Sequence, residues 1–444
     1  MKRVYLWIGG IIVAVGVVLL GVLGWMVGQP GPTGFAKGSP VDLAQYHGPS
    51  PVGVPAELAS ADPLTRGKYL TEAADCEACH TLKGGTPFAG GRAFKLPFGT
   101  LYTPNITPDP DTGIGKWSDA DFLRAVHKGI APDGSRLYPA FPYASYTMLT
   151  DQDVLAMKAY LFSLKPVKQE TPPNTFSFPY NQRWLMAFWS FFFNIDKRFR
   201  PIPEQSPQWN RGAYLVEALA HCGECHTPRN LMQAMNTRRK FAGGEAEGWK
   251  AYNITTDRVS GVGSWSAEDL AGYLSRGHAL GRGTASGPMR EAVELSLSKL
   301  TPGDITAMVA YLQTVPPLRS SQLPAMAGPA PVAHKEGPTD NPLGKRLFEG
   351  NCVSCHAWNG QGALVQEAQL TGSRAVNDVT ATNVAQMILN GVGTSTSGRP
   401  YMPSFEAAYT DREIASLANY VTARFGSKPS SITPEEVATL RAQN

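Results

Sequence analysis

The chain has 444 residues, 43% hydrophobic and 17% charged, which suits a protein of several globular domains and excludes a disordered one. The formal net charge is only +4 and no run of five Lys/Arg occurs, which excludes a nucleic-acid surface built on basic clusters. Proline (36) and glycine (45) are both high, so short elements joined by many turns are expected.

The first predicted element is a membrane segment. Residues 4–27 carry no charge, and a helix of that length, rising about 1.5 Å per residue, exceeds the roughly 30 Å hydrocarbon core. Lys2 and Arg3 precede it, which places the N-terminus in the cytoplasm and the rest in the periplasm. A cleaved signal peptide would have an apolar region of about 7–15 residues and a small-residue cleavage site, and "GWMVGQPGP" offers none. Residues 1–30 are therefore expected to form an N-terminal anchor in the inner membrane, and 31–62 an extended linker.

Residues 63–170 form the first of three similar units. It opens on "RGKYLTEAADCEACHT" (66–81), continues through "YTPNITPDPDTGIGKWSDADFLRAVHKG" (102–129) and closes on "TDQDVLAMKAYLFSL" (150–164). Ser118 with Asp121 and Thr150 with Asp153 have capping-box spacing, as do Ser266 with Asp269, Thr301 with Asp304 and Thr410 with Glu413 in the later units. Val154, Met157, Leu161 and Leu164 then recur at helical spacing. Residues 171–206 form an aromatic-rich connector, in which 184–193 is apolar except for Ser190 and too short to span a bilayer. Two readings stay open for it, an interfacial helix flanked by Arg183, Lys197, Arg198 and Arg200, or a packing element between units. The two readings are not exclusive, and Trp184 and Trp189 are the candidate site residues of this segment.

The second unit (207–315) repeats the pattern as "RGAYLVEALAHCGECHT" (211–227), "AYNITTDRVSGVGSWSAEDLAGYLSRG" (251–277) and "TPGDITAMVAYLQTV" (301–315). A Pro/Ala-rich linker (316–338) leads to the third unit (339–427), with "LGKRLFEGNCVSCHA" (343–357) and "TDREIASLANYVTARF" (410–425), and then to a tail, 428–444. Little strand patterning is visible, so each unit reads as a small all-α domain.

All six cysteines fall in C-x-x-C-H: Cys76 and Cys79 before His80, Cys222 and Cys225 before His226, Cys352 and Cys355 before His356. This is the attachment sequence of c-type haem. Two thiols add to the haem vinyl groups, and the histidine that follows binds the iron as proximal ligand. A redox dithiol would not need a histidine after every pair. A zinc site would want a second pair close by, and these lie 146 and 130 residues apart.

A distal methionine is expected 45–65 residues after each histidine. Met289 stands 63 residues after His226, and Met402 stands 46 after His356. In the first unit Phe141, which cannot bind iron, takes the corresponding place, 61 residues after His80. Met148 is the tentative ligand there, with His127 or an open iron as alternatives.

With "HCGECHTPRN" (221–230), "KAYNIT" (250–255), "GRGTASGPM" (281–289) and "FPYNQRWLM" (178–186), the chain resembles the triheme cytochrome c subunit of membrane-bound periplasmic dehydrogenases, over about residues 60–427. The resemblance implies an all-α fold of three class I cytochrome c-like haem domains in tandem after the N-terminal transmembrane helix. It implies three covalent haem c groups and an electron-transfer subunit that is not itself catalytic toward the organic substrate. Electrons would pass from a large dehydrogenase subunit to ubiquinone in the respiratory chain, with Trp184 and Trp189 as candidates for the edge of the quinone site.

"PAFPY" (139–143) departs from the family's commoner "PAMPY" and, with an uncleaved anchor, looks more like the partners of molybdenum aldehyde dehydrogenases with a small iron–sulfur subunit. The alternative is a quinoprotein or flavoprotein alcohol or sugar dehydrogenase. A haem peroxidase or an oxidase subunit are more distant rivals.

Overall fold

The computed structural model describes residues 30–320, 340–393 and 401–443, with isolated positions at 16, 21, 24 and 28. Among them no helix is long and apolar enough to cross a membrane. This corrects the expected N-terminal transmembrane helix: the described fold contains none, and the 4–27 stretch that suggested it lies almost wholly outside the described residues.

In the first repeat, α1 (Pro63–Ala73) starts where Asp62 accepts hydrogen bonds from the Leu64 and Thr65 amides. A hairpin of β1 (Ala93–Leu96) and β2 (Gly99–Tyr102) follows. Next comes α2 (Asp119–Lys128), which begins in a complete Ser118/Asp121 capping box and ends at Gly129 in the left-handed region. The closing helix is α3 (Asp151–Ser163), and α4 (Leu185–Phe193) lies in the connector.

The second repeat supplies α5 (Pro207–Tyr214), the hairpin β3 (Gly244–Ala246) and β4 (Trp249–Ala251), and α6 (Ala267–Arg276). The short pair β5 (His278–Ala279) and β6 (Gly283–Thr284), then α7 (Gly287–Leu295) and α8 (Pro302–Leu312), complete it. The third repeat holds α9 (Pro342–Asn351), α10 (Thr382–Asn390) and α11 (Asp411–Phe425). The 428–444 tail forms a helix, α12 (Pro434–Gln443), that buries Val437 and Leu440 in the third repeat's core.

The all-α expectation is thus corrected by three two-stranded antiparallel hairpins. Their strands are two to four residues long, too short for alternation to stand out. Turn geometry favours the second of them. Between β3 and β4 the two-residue turn puts Glu247 (φ 50°) and Gly248 (φ 74°) in the left-handed region, the geometry whose twist matches a tight hairpin.

In each repeat the first helix crosses the closing helix at a glycine. A Cβ on Gly67 would lie 2.1 Å from the Ala156 carbonyl oxygen, one on Gly212 1.9 Å from that of Ala307, and one on Gly344 2.5 Å from that of Ser416. Only hydrogen at these positions lets the helix backbones meet.

The first two repeats share a single core running from Tyr69 to Val315, while residues 348–440 enclose another. A reciprocal pair of bonds explains the fusion. Tyr69 of α1 donates to Asp304 of α8 (2.6 Å), and Tyr214 of α5 donates to Asp153 of α3 (2.5 Å). Asp153 and Asp304 stand at the third position of their helices, where the sequence suggested capping boxes. Thr150 and Thr301 do cap, but the carboxylates reach the other repeat. In the third repeat Arg346 replaces the tyrosine, and Glu413 closes an ordinary box with Thr410.

Candidate cofactor sites

Each C-x-x-C-H segment folds as one helical turn, with the histidine amide bonded to the first cysteine's carbonyl: His80 to Cys76 (3.0 Å), His226 to Cys222 (3.0 Å), His356 to Cys352 (2.9 Å). One turn sets both thiols and the imidazole on adjoining faces.

The imidazoles are oriented alike. His80 Nδ1 lies 2.8 Å from the Pro104 carbonyl oxygen, His226 Nδ1 2.6 Å from that of Tyr252, and His356 Nδ1 2.6 Å from that of Ala368. A carbonyl only accepts, so Nδ1 carries the proton and Nε2 keeps its lone pair. Burial holds all three imidazoles below their usual pKa, in the neutral form that binds metal. Burial also pushes the Cys79 and Cys222 thiols up to about 12, the opposite of a reactive redox dithiol. These residues fit covalent haem c: two thiols, a tautomer fixed by a second bond and a free Nε2, three times over.

Sequence spacing does not reveal the acceptor carbonyls, yet it carries a signal for two of them. Pro104 and Tyr252 each precede an Asn-Ile-Thr turn. Asn105 Oδ1 accepts from the Thr107 amide (2.9 Å) and hydroxyl (2.7 Å), and its Nδ2 donates to the Val167 carbonyl (2.7 Å). Asn253 repeats this with Thr255 (2.8 and 2.7 Å) and the Leu318 carbonyl (2.7 Å). The turn pins the carbonyl that orients the histidine.

A cavity of about 1720 Å³ has walls from both of the first two motifs, including Cys76, Cys79 and His80 on one side and Cys222, Cys225 and His226 on the other. Met289, on α7, is among its lining residues. So is Phe141, whereas Met148 is not. Met148 packs half-buried against the core, and its carbonyl accepts from the Phe199 amide (2.9 Å). Met157 also reaches the wall, but it is the counterpart of Met308 on the core face of the closing helix. His127 is buried on α2, with Nδ1 3.7 Å from Asp151 and no partner for Nε2. In the third repeat Met402 forms an antiparallel bridge with Val392 and packs half-buried against the core that contains Cys352.

Two polar links tie the sites together. Arg92 donates to the Ala78 carbonyl inside the first motif (2.6 Å), to Glu291 on the helix of Met289 (2.6 Å) and to Glu247 (3.0 Å). Tyr252, whose carbonyl orients His226, donates its hydroxyl to Asp378 of the third repeat (3.2 Å).

The connector divides between its two readings. Trp189 is buried and packs with Tyr143 and Ala234, and its Nε1 donates to the Met232 carbonyl (2.8 Å). Trp184 is exposed. Leu185, Met186, Phe188, Trp189 and Phe192 all contribute to the cavity wall.

The Cytochrome c family pattern matches residues 64–165 and 342–424. The chain is 38% identical over 402 residues to the fructose dehydrogenase cytochrome subunit of Gluconobacter japonicus, covering 85% of this chain and 82% of that one. It is 36% identical over 396 residues to the gluconate 2-dehydrogenase cytochrome c subunit of Pantoea cypripedii, covering 85% and 89%. It is 42% identical over 373 residues to a nicotinate dehydrogenase component of Pseudomonas putida, covering 83% of this chain but 31% of that longer relative.

Proposed function

The chain belongs to the dehydrogenase cytochrome c subunits, and from that premise we propose that it carries electrons from a dehydrogenase subunit through three covalent haem c groups to a membrane quinone, ubiquinone. The observation that carries the reading is the threefold recurrence of a histidine held by Nδ1 on a backbone carbonyl beside two cysteines one helical turn apart.

Bound haem c supplies a one-electron couple at each site. Cys76 and Cys79, Cys222 and Cys225, and Cys352 and Cys355 would hold it through thioether bonds. His80, His226 and His356 offer Nε2 to iron, and the Pro104, Tyr252 and Ala368 carbonyls keep each ring in the correct tautomer. Met289 and Met402 would be the methionine donors to iron at the second and third sites. Phe141 supplies none, so the first site differs from the others, and Met148 would need to leave its packing to serve it.

The shared cavity brings the first two sites within one enclosure, lined toward the connector by aromatic side chains that suit a flat quinone ring. The partner is a large periplasmic dehydrogenase subunit. On the resemblance carried by "PAFPY", we take it to be a molybdenum aldehyde dehydrogenase with a small iron–sulfur subunit.

The test is purification of the intact complex, with haem counted per chain and the accompanying subunits identified. Three haems, one lost with each Cys-to-Ala pair, and reduction of all three by an aldehyde are expected. Fewer haems, or no dehydrogenase partner, would refute the reading.

A further inference from the structure

The connector helix leaves a face uncovered. Trp184, Phe188 and Phe191 fall at helical spacing on one side of α4 and are 60%, 59% and 80% exposed. Phe178, before the helix, is 79% exposed, and Leu231 and Met232 are 92% and 49% exposed. The Trp189–Met232 bond fastens the loop of those last two residues to α4. Six large apolar side chains are thus exposed on α4 and on the segments beside it, whereas soluble monomers rarely show contiguous apolar patches beyond a few hundred Å².

We infer that this surface docks on a lipid bilayer, with α4 lying in the plane of the headgroups. Three observations choose lipid as the occupant. The helix spans nine residues, too short to cross a bilayer but suited to lie along it, with aromatic rings at the depth they favour. Arg183 and Lys197 flank it at its two ends, both exposed, where anionic headgroups would meet them.

The third observation is the placement of residues 28–32. Gly28, Pro30 and Pro32 offer their carbonyls to Arg238, Thr237 and Lys240, in the loop that follows Met232. Residues 28–32, which follow the uncharged stretch 4–27 in the sequence, are therefore held beside this same loop. Docking would also turn toward lipid the part of the cavity wall made by Leu185, Phe188, Phe192 and Leu231. The inference rests on the membrane acceptor proposed above and names the surface that would meet it.

The experiment uses the full haem-loaded chain in quinone-free vesicles of phosphatidylethanolamine and phosphatidylglycerol carrying a trace of diazirine-tagged phospholipid. After irradiation, adducts are mapped by mass spectrometry. Adducts on 184–191 and on Leu231 and Met232, about tenfold above those on the exposed face of α12 and lost in Phe188→Ser/Phe191→Ser, support the inference. Background labelling of this face overturns it, and so does its crosslinking to the dehydrogenase subunit in the purified complex. Quinol oxidation by the same chain in detergent tests the acceptor separately, so either idea can fail alone.

Discussion

Gly212→Ala should destabilise the protein although alanine is the better helix former. Gly212 lies inside α5, and its Cβ would stand 1.9 Å from the Ala307 carbonyl oxygen, 2.6 Å from that carbonyl's carbon and 2.9 Å from Tyr311 Cβ. Backbone cannot rotate away as a side-chain tip would. Restoring an ordinary contact of about 3.4 Å requires α5 and α8 to part by about 1.5 Å, and a gap of 0.5–1 Å already forfeits a quarter to a half of each dispersion well.

Overpacking of this kind costs about 3 kcal/mol or more, at the upper end of the usual range. The gain in helix propensity returns about 1 kcal/mol, so a net loss of about 2 kcal/mol or more is expected. Gly350→Ala in α9 is the control, because nothing lies within 4 Å of its added carbon. It should gain up to about 1 kcal/mol. Gly67→Ala and Gly344→Ala, at 2.1 and 2.5 Å, should fall between, in that order. Guanidinium unfolding of the full chain, followed by far-ultraviolet circular dichroism, reads all four. If Gly212→Ala matched Gly350→Ala in sign, the argument from helix approach would be wrong.

Tyr69→Phe and Tyr214→Phe should each cost about 1.5–3 kcal/mol, because a buried carboxylate loses a donor. A cycle of Tyr69→Phe with Asp304→Asn should be non-additive, and additivity would disprove the cross-repeat bond. Burial, reinforced by Arg198 and opposed by Asp151 and Asp196, pushes His127 down to about 4 from its ordinary 6.5. Its contribution to stability is therefore present above about pH 6.5 and lost as pH falls through 4. Relative to His127→Gln, the wild type should lose up to about 3 kcal/mol over that window in pH-dependent unfolding, and parallel profiles would contradict this. Phe141→Met should add a methionine–iron charge-transfer band in the near infrared and raise the potential of one haem. An unchanged spectrum would show that the side chain at 141 does not face iron.

The haem motifs, the closing helices and three of the capping boxes could be read directly, because each depends on residues within one turn of one another. Thr150/Asp153 and Thr301/Asp304 could not. Their spacing matches that of Thr410/Glu413, and only the distant tyrosines decide where the carboxylates go. The discriminating letter was in view, since Tyr69 and Tyr214 align with Arg346. The connector was half legible: Trp184 and Trp189 are five residues apart, which sets them on different sides of a helix, one outward and one in the core. The hairpins are not legible because two- to four-residue strands leave no periodicity, and the left-handed turn between β3 and β4 uses Glu-Gly rather than the commoner Asn-Gly. The acceptor carbonyls escaped because backbone groups have no sequence letter of their own.

The reciprocal tyrosine–carboxylate bonds also bear on the order of assembly. Tyr69 must wait for a partner 235 residues downstream, an interval of roughly 12–47 s at ordinary rates of synthesis of 5–20 residues per second. Until then the first repeat is an open half with its apolar face unmated. No stage exists at which it is finished and the second is not. The third repeat encloses a core from residues of its own segment and can close last without help, so a chain halted after residue 320 would contain the shared core of the first pair, while one halted after 170 would contain only part of it.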